Sequence, residues 1–189
     1  MKTPNRADTG AALRLAGVIR ESMVDGPGLR FVVFAQGCPH ACPGCHNPET
    51  HNFAGGYDTT VDNVLAAIDE NPLLCGVTLS GGEPFAQAGA FAQLARAAHE
   101  RGLDVFCYSG YAFETLRAGR DWLPLLREVD TLVDGPFLLP EKTLTLPFRG
   151  SRNQRLIDVP ASLAAEQVVP RTLDAPNVAF DSPHRNRFS

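Results

Sequence analysis

Three cysteines lie close together in the run GCPHACPGCHN, with three residues between Cys38 and Cys42 and two between Cys42 and Cys45. Thiolates are favoured ligands of iron–sulfur clusters, and clustered cysteines on one loop reach several corners of a single cube. Three of them can hold three irons of a four-iron cluster and leave the fourth iron open. An open iron binds a small molecule directly, so the pattern predicts a cluster that does chemistry as well as carrying electrons.

A structural zinc site is the alternative interpretation of these cysteines. Closed zinc sites have four ligands, often arranged as two C-x2-C pairs. The fourth ligand would have to be His40, His46, His51 or a distant cysteine. Cys75 and Cys107 stand alone in strand-like sequence, and we expect them to be small buried core residues.

A second motif, Ser80 to Pro84 (SGGEP), directly follows a short apolar segment. Its two glycines allow backbone groups to approach a ligand closely. The carboxylate of Glu83 adds an acceptor for an ammonium group. Taken alone, a GGE triplet is usually only a turn, so its meaning depends on its position relative to the cysteines.

The elements that must position these motifs alternate between strands and helices. Hydrophobic patterning predicts strands at 15–20, 30–35, 76–79, 103–108 and 131–133, with helices at 60–70, before Gly102, at 113–116 and at 122–129. This alternation implies a parallel sheet, and such sheets place ligand sites beyond the carboxyl ends of their strands. The cysteine loop, SGGEP, Ser109 to Tyr111 and Asp134-Gly135 each follow a predicted strand. We therefore expect these four segments to converge on one edge.

Composition limits the broad class of the protein. A chain of 189 residues fits one domain, which we place at 1–157, with a proline-containing and partly disordered tail at 158–189. The net charge of -4 and the pI of about 5.7 argue against a general nucleic-acid-binding role. The sequence has neither the ~20-residue apolar stretch of a membrane helix nor a signal-peptide core. We therefore expect a cytoplasmic protein with reduced thiols.

The C-x3-C-x2-C spacing together with SGGEP resembles the radical S-adenosylmethionine superfamily. The resemblance implies an α/β fold, an incomplete parallel β/α barrel, with a [4Fe-4S] cluster on Cys38, Cys42 and Cys45. It implies that Ser80, Gly81, Gly82 and Glu83 bind the methionine end of S-adenosylmethionine. The reduced cluster would split this cofactor to give methionine and a 5′-deoxyadenosyl radical, which abstracts a hydrogen atom. No catalytic residue beyond the cluster and the cofactor is implied.

Further motifs resemble the activating enzymes of glycyl radical enzymes. Asp25 to Arg30 (DGPGLR) and Cys45 to Asn47 (CHN) are similar to that group as a whole. The stretches at 42–47, 108–111 and 132–135, with Phe148 to Gln154 (FRGSRNQ), resemble the activating protein of anaerobic ribonucleoside-triphosphate reductase. The implied reaction removes hydrogen from a glycine of that reductase and leaves a glycyl radical. The reductase is thus the implied protein partner. Neither a nucleic acid nor a membrane is expected as a partner.

The same resemblance implies roles for residues outside the cysteine loop. The implied cofactor-binding residues also include Asn47, Ser109, Tyr111, Asp134 and Arg149. Asp134 would bind a cofactor hydroxyl or a cation, and Arg149 would supply a positive charge suited to carboxylate.

Asp25 would orient the glycine-bearing peptide of the partner, while Arg30 would support the same loop. No ferredoxin-like insert is visible in the sequence, so we expect an external electron donor such as flavodoxin or ferredoxin.

Two related enzymes remain alternatives. One is an activating enzyme for another glycyl radical enzyme, of the formate-lyase type, against which the short chain and the RGSRNQ run argue. The other is a small radical S-adenosylmethionine deazaguanine synthase. That enzyme typically has tryptophan before the third cysteine and an acidic residue after it, whereas this chain has Gly44 and His46.

Overall fold

The computed structural model describes residues 10–172, which form a seven-stranded sheet and five helices. The strands are β1 Ala12–Ser22, β2 Arg30–Ala35, β3 Tyr57–Thr60, β4 Gly76–Gly81, β5 Asp104–Tyr108, β6 Thr131–Asp134 and β7 Arg155–Asp158. The helices are α1 Val61–Asp69, α2 Ala88–His99, α3 Phe113–Ala118, α4 Leu123–Leu126 and α5 Val159–Ala165. Short 3-10 turns at Pro48–Thr50, Pro84–Gln87 and Leu139–Glu141 complete the regular structure of these residues.

The strand order is β3-β1-β2-β4-β5-β6-β7, and the four strands from β2 to β6 run parallel to one another. β1, β3 and β7 pair antiparallel and flank this parallel centre. Phe34 of β2 lies opposite Ser80 of β4, and Leu79 lies opposite Cys107 of β5. The parallel strands therefore end side by side. The predicted α/β class is confirmed, and the incomplete parallel β/α barrel is seen as a mixed seven-stranded sheet with a parallel centre.

The apolar core lies between the sheet and the helices. Five of the six residues of β2 (RFVVFA) are buried, as expected for a strand inside a parallel sheet. In α1 the residues Val61, Val64, Leu65 and Ile68 form one buried face, and the hydroxyl of Thr60 accepts a hydrogen bond from Asn63 N at the start of the helix. These local patterns make both elements predictable from sequence.

The opposite face of the sheet carries a smaller cluster made of Phe106, Val133 and Leu156, with Tyr108 and Phe148 packed against it. The backbone oxygen of Asp25 accepts a hydrogen bond from the Thr78 hydroxyl, at 2.7 Å, and thereby ties the DGPG segment to this face. A side chain at Gly26 would collide with Arg30 and come within 3.3 Å of Phe106. The loop before β2 and the segment around Phe148 thus cover this face together.

Three elements were absent from the sequence-based prediction: β3, β7 and α5. β3 is a four-residue edge strand of sequence YDTT, and β7 is an equally short strand of sequence RLID, so neither carries a strong local signal. Within the predicted tail, residues 159–165 form α5, whose start is capped by Asp158, and Ile157 bridges to Pro170. The boundary after residue 157 stays a prediction, and residues 173–189 lie outside the described part.

The two isolated cysteines differ in their surroundings. Cys107 is completely buried in the main core, as expected. The expectation for Cys75 was wrong, because Cys75 is exposed just before β4 and lies against Gly28. In residues 10–172 no helix has both the length and the apolar character needed to cross a membrane.

A histidine near the end of α2 makes fold stability depend on pH. His99 Nε2 lies 2.9 Å from Asp130 Oδ2, and this hydrogen bond raises the pKa of His99 above its ordinary value of 6.5, although burial opposes the shift. Because the folded-state pKa is the higher one, protonated His99 contributes its full stability below pH 6.5 and loses it as pH rises through the folded pKa. We expect His99→Gln to be less stable than wild type at ~pH 6, with the difference shrinking toward ~pH 8. Urea unfolding across this range measures the difference, and a constant difference would contradict the coupling.

Candidate functional site

A cleft of about 100 Å³ opens beyond the carboxyl ends of the parallel strands. It is lined by the four segments that were expected to converge there, together with residues of the last predicted motif. The lining residues are Cys38, His40, Cys42, Cys45, His51, Gly81, Gly82, Tyr108, Ser109, Gly110, Gly135, Phe137 and Gln154. The strand order therefore brings motifs that are far apart in sequence around one opening.

Backbone hydrogen bonds hold the cysteine loop in shape. Gly37 N donates to Thr50 O at 2.8 Å, and Cys38 N donates to His51 O at 3.2 Å, so the start of the loop is tied to the segment that follows it. Cys45 N donates to Cys42 O at 3.1 Å and closes a turn around Gly44, whose φ of 72° is easy only for glycine. The loop presents its three thiols from a defined backbone.

The donor set of this loop fits an iron–sulfur cluster. Cys38, Cys42 and Cys45 are free thiols, partly exposed in one cleft, and Asn47 N lies 3.4 Å from Cys45 Sγ, where it can stabilise a thiolate. Burial raises the pKa of the Cys38 thiol, so iron binding would release its proton. Among residues 10–172, no three His, Cys, Asp or Glu side chains converge on a single metal ion. The thiolates of a cluster each bind a different iron and need no such convergence.

The two glycines of SGGEP pack against the chain itself. Gly82 N donates to Ala35 O and Glu83 N donates to Gly37 O, so the motif continues alongside the end of β2. A Cβ atom at Gly82 would lie 2.4 Å from Gly37 O, and one at Gly81 would lie 2.6 Å from Phe34 Cα. Both glycines are therefore required for SGGEP to lie against the start of the cysteine loop.

Glu83 is fully buried, and its carboxylate joins three segments of the site. Oε1 accepts hydrogen bonds from Phe85 N and the Ser109 hydroxyl, and Oε2 accepts one from Gly110 N at 2.9 Å. His40 Nε2, in the cysteine loop, lies 2.8 Å from Oε2. The predicted ammonium acceptor is thus surrounded by protein donors, and the geometry gives Glu83 a positioning role between the three segments.

The predicted residues Ser109 and Tyr111 surround this carboxylate. Ser109 donates its hydroxyl to Glu83, while the Tyr111 ring packs edge-on to His40, with ring centroids 4.4 Å apart. Trp122 packs on Tyr111 at 4.5 Å, so it supports the site from behind. A side chain at Gly110 would collide with the His40 ring. Ser109 lines the cleft, whereas Tyr111 supports its wall.

The predicted residue Asp134 is also buried and fully engaged. Its Oδ2 accepts a hydrogen bond from Phe113 N at 2.7 Å, and Arg155 binds both carboxylate oxygens while also pairing with Glu114. The positive charge beside Asp134 is therefore Arg155 and not Arg149. Arg149 precedes Gly150, which packs close to Phe137 of the cleft. The buried Nε of Arg149 has no hydrogen-bond partner in the described residues.

The four remaining predicted residues, Asn47, Ser80, Arg30 and Asp25, differ in their exposure and in their hydrogen-bond partners. Within residues 10–172 the side chains of Asn47 and Ser80 make no hydrogen bond. Asn47 is partly exposed and Ser80 is buried, and neither is among the residues that line the cleft. Arg30 is fully buried and supports the DGPG loop by donating to Pro27 O at 3.0 Å, so it is not placed to touch a partner directly. Asp25 is partly exposed and accepts a hydrogen bond from Ser22.

Asp25 lies close enough to Tyr108 for its charge to act on the phenol. Burial raises the pKa of the Tyr108 phenol, and the negative charge of Asp25 adds to the shift. Tyr108 lines the cleft, whereas the four DGPG residues are not among its lining residues, and Pro27 lines a separate pocket with Asp104 and Phe106.

Sequence reasoning missed several residues of the site. His40 and His51 were considered only as zinc ligands, while Tyr108, Gln154 and Arg155 were given no individual role. The position of His40 inside the cysteine run was a usable signal, because any residue there must lie beside the cluster. No local signal points to Arg155, because its partner Asp134 lies 21 residues earlier in the chain.

Comparison with known proteins identifies the family of this chain. Residues 24–157 match the family model described as a 4Fe-4S single cluster domain. The chain is 32% identical over 140 residues to the anaerobic ribonucleoside-triphosphate reductase-activating protein of Salmonella typhi, covering 70% of this chain and 90% of that protein. The protein of the same name from Enterobacteria phage T4 is 35% identical over 142 residues, with 70% and 86% covered.

The corresponding protein of Escherichia coli K12 is 32% identical over 141 residues, with 70% and 90% covered. Among solved structures, QueE from Escherichia coli gives a TM-score of 0.42 at 16% identity over 52% of each chain, a likeness too weak to inform function. The chain belongs to the 4Fe-4S single-cluster-domain family that includes the anaerobic ribonucleoside-triphosphate reductase-activating proteins.

Proposed function

We propose that this chain activates an anaerobic ribonucleoside-triphosphate reductase as a radical S-adenosylmethionine enzyme. The observation that carries the proposal is the cleft in which Cys38, Cys42 and Cys45 meet the SGGEP glycines. The match of residues 24–157 to a 4Fe-4S domain and the relatives at 32–35% identity support it. A cluster bound by the three cysteines would supply the electron for cleavage of S-adenosylmethionine, and this cofactor would supply the chemistry for hydrogen abstraction at a glycine Cα of the reductase.

In this reaction the residues of the chain would bind the cluster and bind and orient the cofactor. Cys38, Cys42 and Cys45 are the proposed ligands of three irons, which leaves the fourth for the cofactor. Glu83 holds the cysteine loop, SGGEP and the Ser109 segment in fixed relation, which is the preorganisation that positioning of a reactive cofactor requires. Asn47 and Ser80 are the proposed direct polar contacts to the cofactor. Flavodoxin or ferredoxin is the proposed electron donor.

Anaerobic reconstitution tests the function step by step. With iron and sulfide the protein should turn brown, give an S = 1/2 signal on reduction and change its spectrum when S-adenosylmethionine is added. Mixing it with an anaerobic reductase should produce the doublet-like signal of a glycyl radical. A colourless protein that holds stoichiometric zinc would exclude the proposed radical enzyme function. A glycyl radical formed only on a formate-lyase would show that the partner is a different glycyl radical enzyme.

The DGPG loop carries the proposed contact to the partner protein. Met23 and Val24, just before Asp25, are 77% and 78% exposed, and neighbouring exposed apolar side chains of this kind can form part of a protein-interaction site. We expect the double variant Met23→Ser, Val24→Ser to cleave S-adenosylmethionine normally but to need about tenfold more reductase for half-maximal activation, since partial burial of two apolar side chains contributes roughly 1.5 kcal/mol.

The matched control is Met23→Leu with Val24→Ile, which keeps an apolar surface and should behave like the wild type. The measurement is the glycyl radical signal as a function of reductase concentration. Equal loss of cofactor cleavage and radical formation in the serine variant would contradict a docking role for this loop.

A further inference from the structure

His51 places an unpartnered polar atom at the cysteine cleft. His51 lines the cleft together with Cys38, Cys42 and Cys45. In residues 10–172, three side chains have a buried polar atom without a hydrogen-bond partner: His51 at Nε2, Arg149 at Nε and Asn153 at Oδ1. Of these three, His51 is the one that lines the cleft itself.

Backbone hydrogen bonds fix the position of His51 next to the cysteine loop. His51 N donates to Pro48 O at 3.2 Å, and His51 O accepts from Cys38 N, also at 3.2 Å. The residue before it, Thr50, is buried and holds Gly37 N. The His51 backbone is therefore tied directly to that of the first cysteine, which holds the residue beside the cysteine loop.

A buried nitrogen without a hydrogen-bond partner indicates that a bound group is missing from the cleft. Leaving such a group without a partner costs about 1–3 kcal/mol, and folded proteins contain few of them. Thiolate and sulfide sulfurs are acceptors without protons, and the neutral imidazole ring carries an N–H on one of its two nitrogens. A cluster on the three cysteines would supply the missing acceptor.

We propose that His51 donates a hydrogen bond from Nε2 to a sulfur of the cluster and thereby raises its reduction potential. A donor stabilises the reduced cluster more than the oxidised one, because reduction increases negative charge on the sulfurs, and hydrogen bonds to sulfur are among the factors that set cluster potentials. The inference rests on the proposed function for the presence of the cluster. It adds a tuning residue that lies outside the cysteine and SGGEP motifs.

The test compares His51→Phe with His51→Gln. Phenylalanine keeps a planar ring but cannot donate, whereas glutamine retains an N–H donor near the position of Nε2. In an electron paramagnetic resonance titration of reconstituted protein, His51→Phe should be reduced at a more negative potential than wild type with the same iron content. The reduction potential of His51→Gln should lie close to that of the wild type.

The protein without iron provides a second measurement. Because His51 Nε2 has no partner in the protein without iron, His51→Phe should unfold at a urea concentration no lower than that needed to unfold the wild type. Loss of stability or failure to fold in this variant would overturn the proposal, since the ring would then have a structural partner. An unchanged potential in a fully loaded His51→Phe would overturn it as well. Failure of the wild type to assemble any cluster would instead refute the proposed function on which the inference rests.

Discussion

Replacing Cys42 with alanine should abolish cluster assembly and reduce S-adenosylmethionine cleavage to background. Cys42 is the middle residue of the three cysteines, and its thiol is partly exposed in the cleft with the other two. With two thiolates left on the loop, two irons of a four-iron cube would lack a protein ligand. The measurements are iron and sulfide content after anaerobic reconstitution, followed by the yield of 5′-deoxyadenosine from the reduced protein.

Cys75→Ala is the matched control for this experiment. It removes the same chemical group, but Cys75 is exposed just before β4, at the opposite end of that strand from SGGEP. We expect the control to bind iron and cleave the cofactor like the wild type. If Cys42→Ala retained a full complement of iron and sulfide while Cys75→Ala lost it, the assignment of the three clustered cysteines as ligands would be wrong.

The second large effect is expected for Glu83→Ala, which should destabilise even the protein without iron. The substitution removes the hydrogen-bond partner of four groups: Phe85 N and the Ser109 hydroxyl, which are buried, and Gly110 N and His40 Nε2, which are partly buried. Each unsatisfied buried group costs about 1–3 kcal/mol, partly relieved where water enters from the cleft. We therefore expect a loss of at least ~3 kcal/mol in the free energy of unfolding.

Urea unfolding of the protein without iron measures this loss, and Glu49→Ala is the control because Glu49 is exposed in the turn that follows the cysteine loop. The control should unfold at the wild-type urea concentration. A different result is expected if Glu83 acts only by accepting the ammonium group of the cofactor. In that case Glu83→Ala would match the control in stability and lose only cofactor affinity, and the positioning role would have to be abandoned.

Local patterns explain which parts of the fold were predictable. β2 was predicted with its observed bounds, because RFVVFA is a continuous apolar run inside a parallel sheet. α1 was predicted because its apolar residues follow the helical period and Thr60 caps its first turn. β3, β7 and α5 were missed, because short edge strands and a seven-residue helix take their stability from neighbours that a local pattern does not include.

The sequence by itself determined the chemistry of the site: three thiols at cluster spacing, a glycine-rich motif after a strand, and the family motifs around them. Which carboxylates remain free for a ligand was decided only by the tertiary structure. Glu83 meets His40 from 43 residues away, and Asp134 meets Arg155 from 21 residues away. Such pairs depend on strand order and on burial, since a buried carboxylate must find donors wherever the fold brings them. For the same reason His51 became a candidate only when its nitrogen was found at the cleft without a partner.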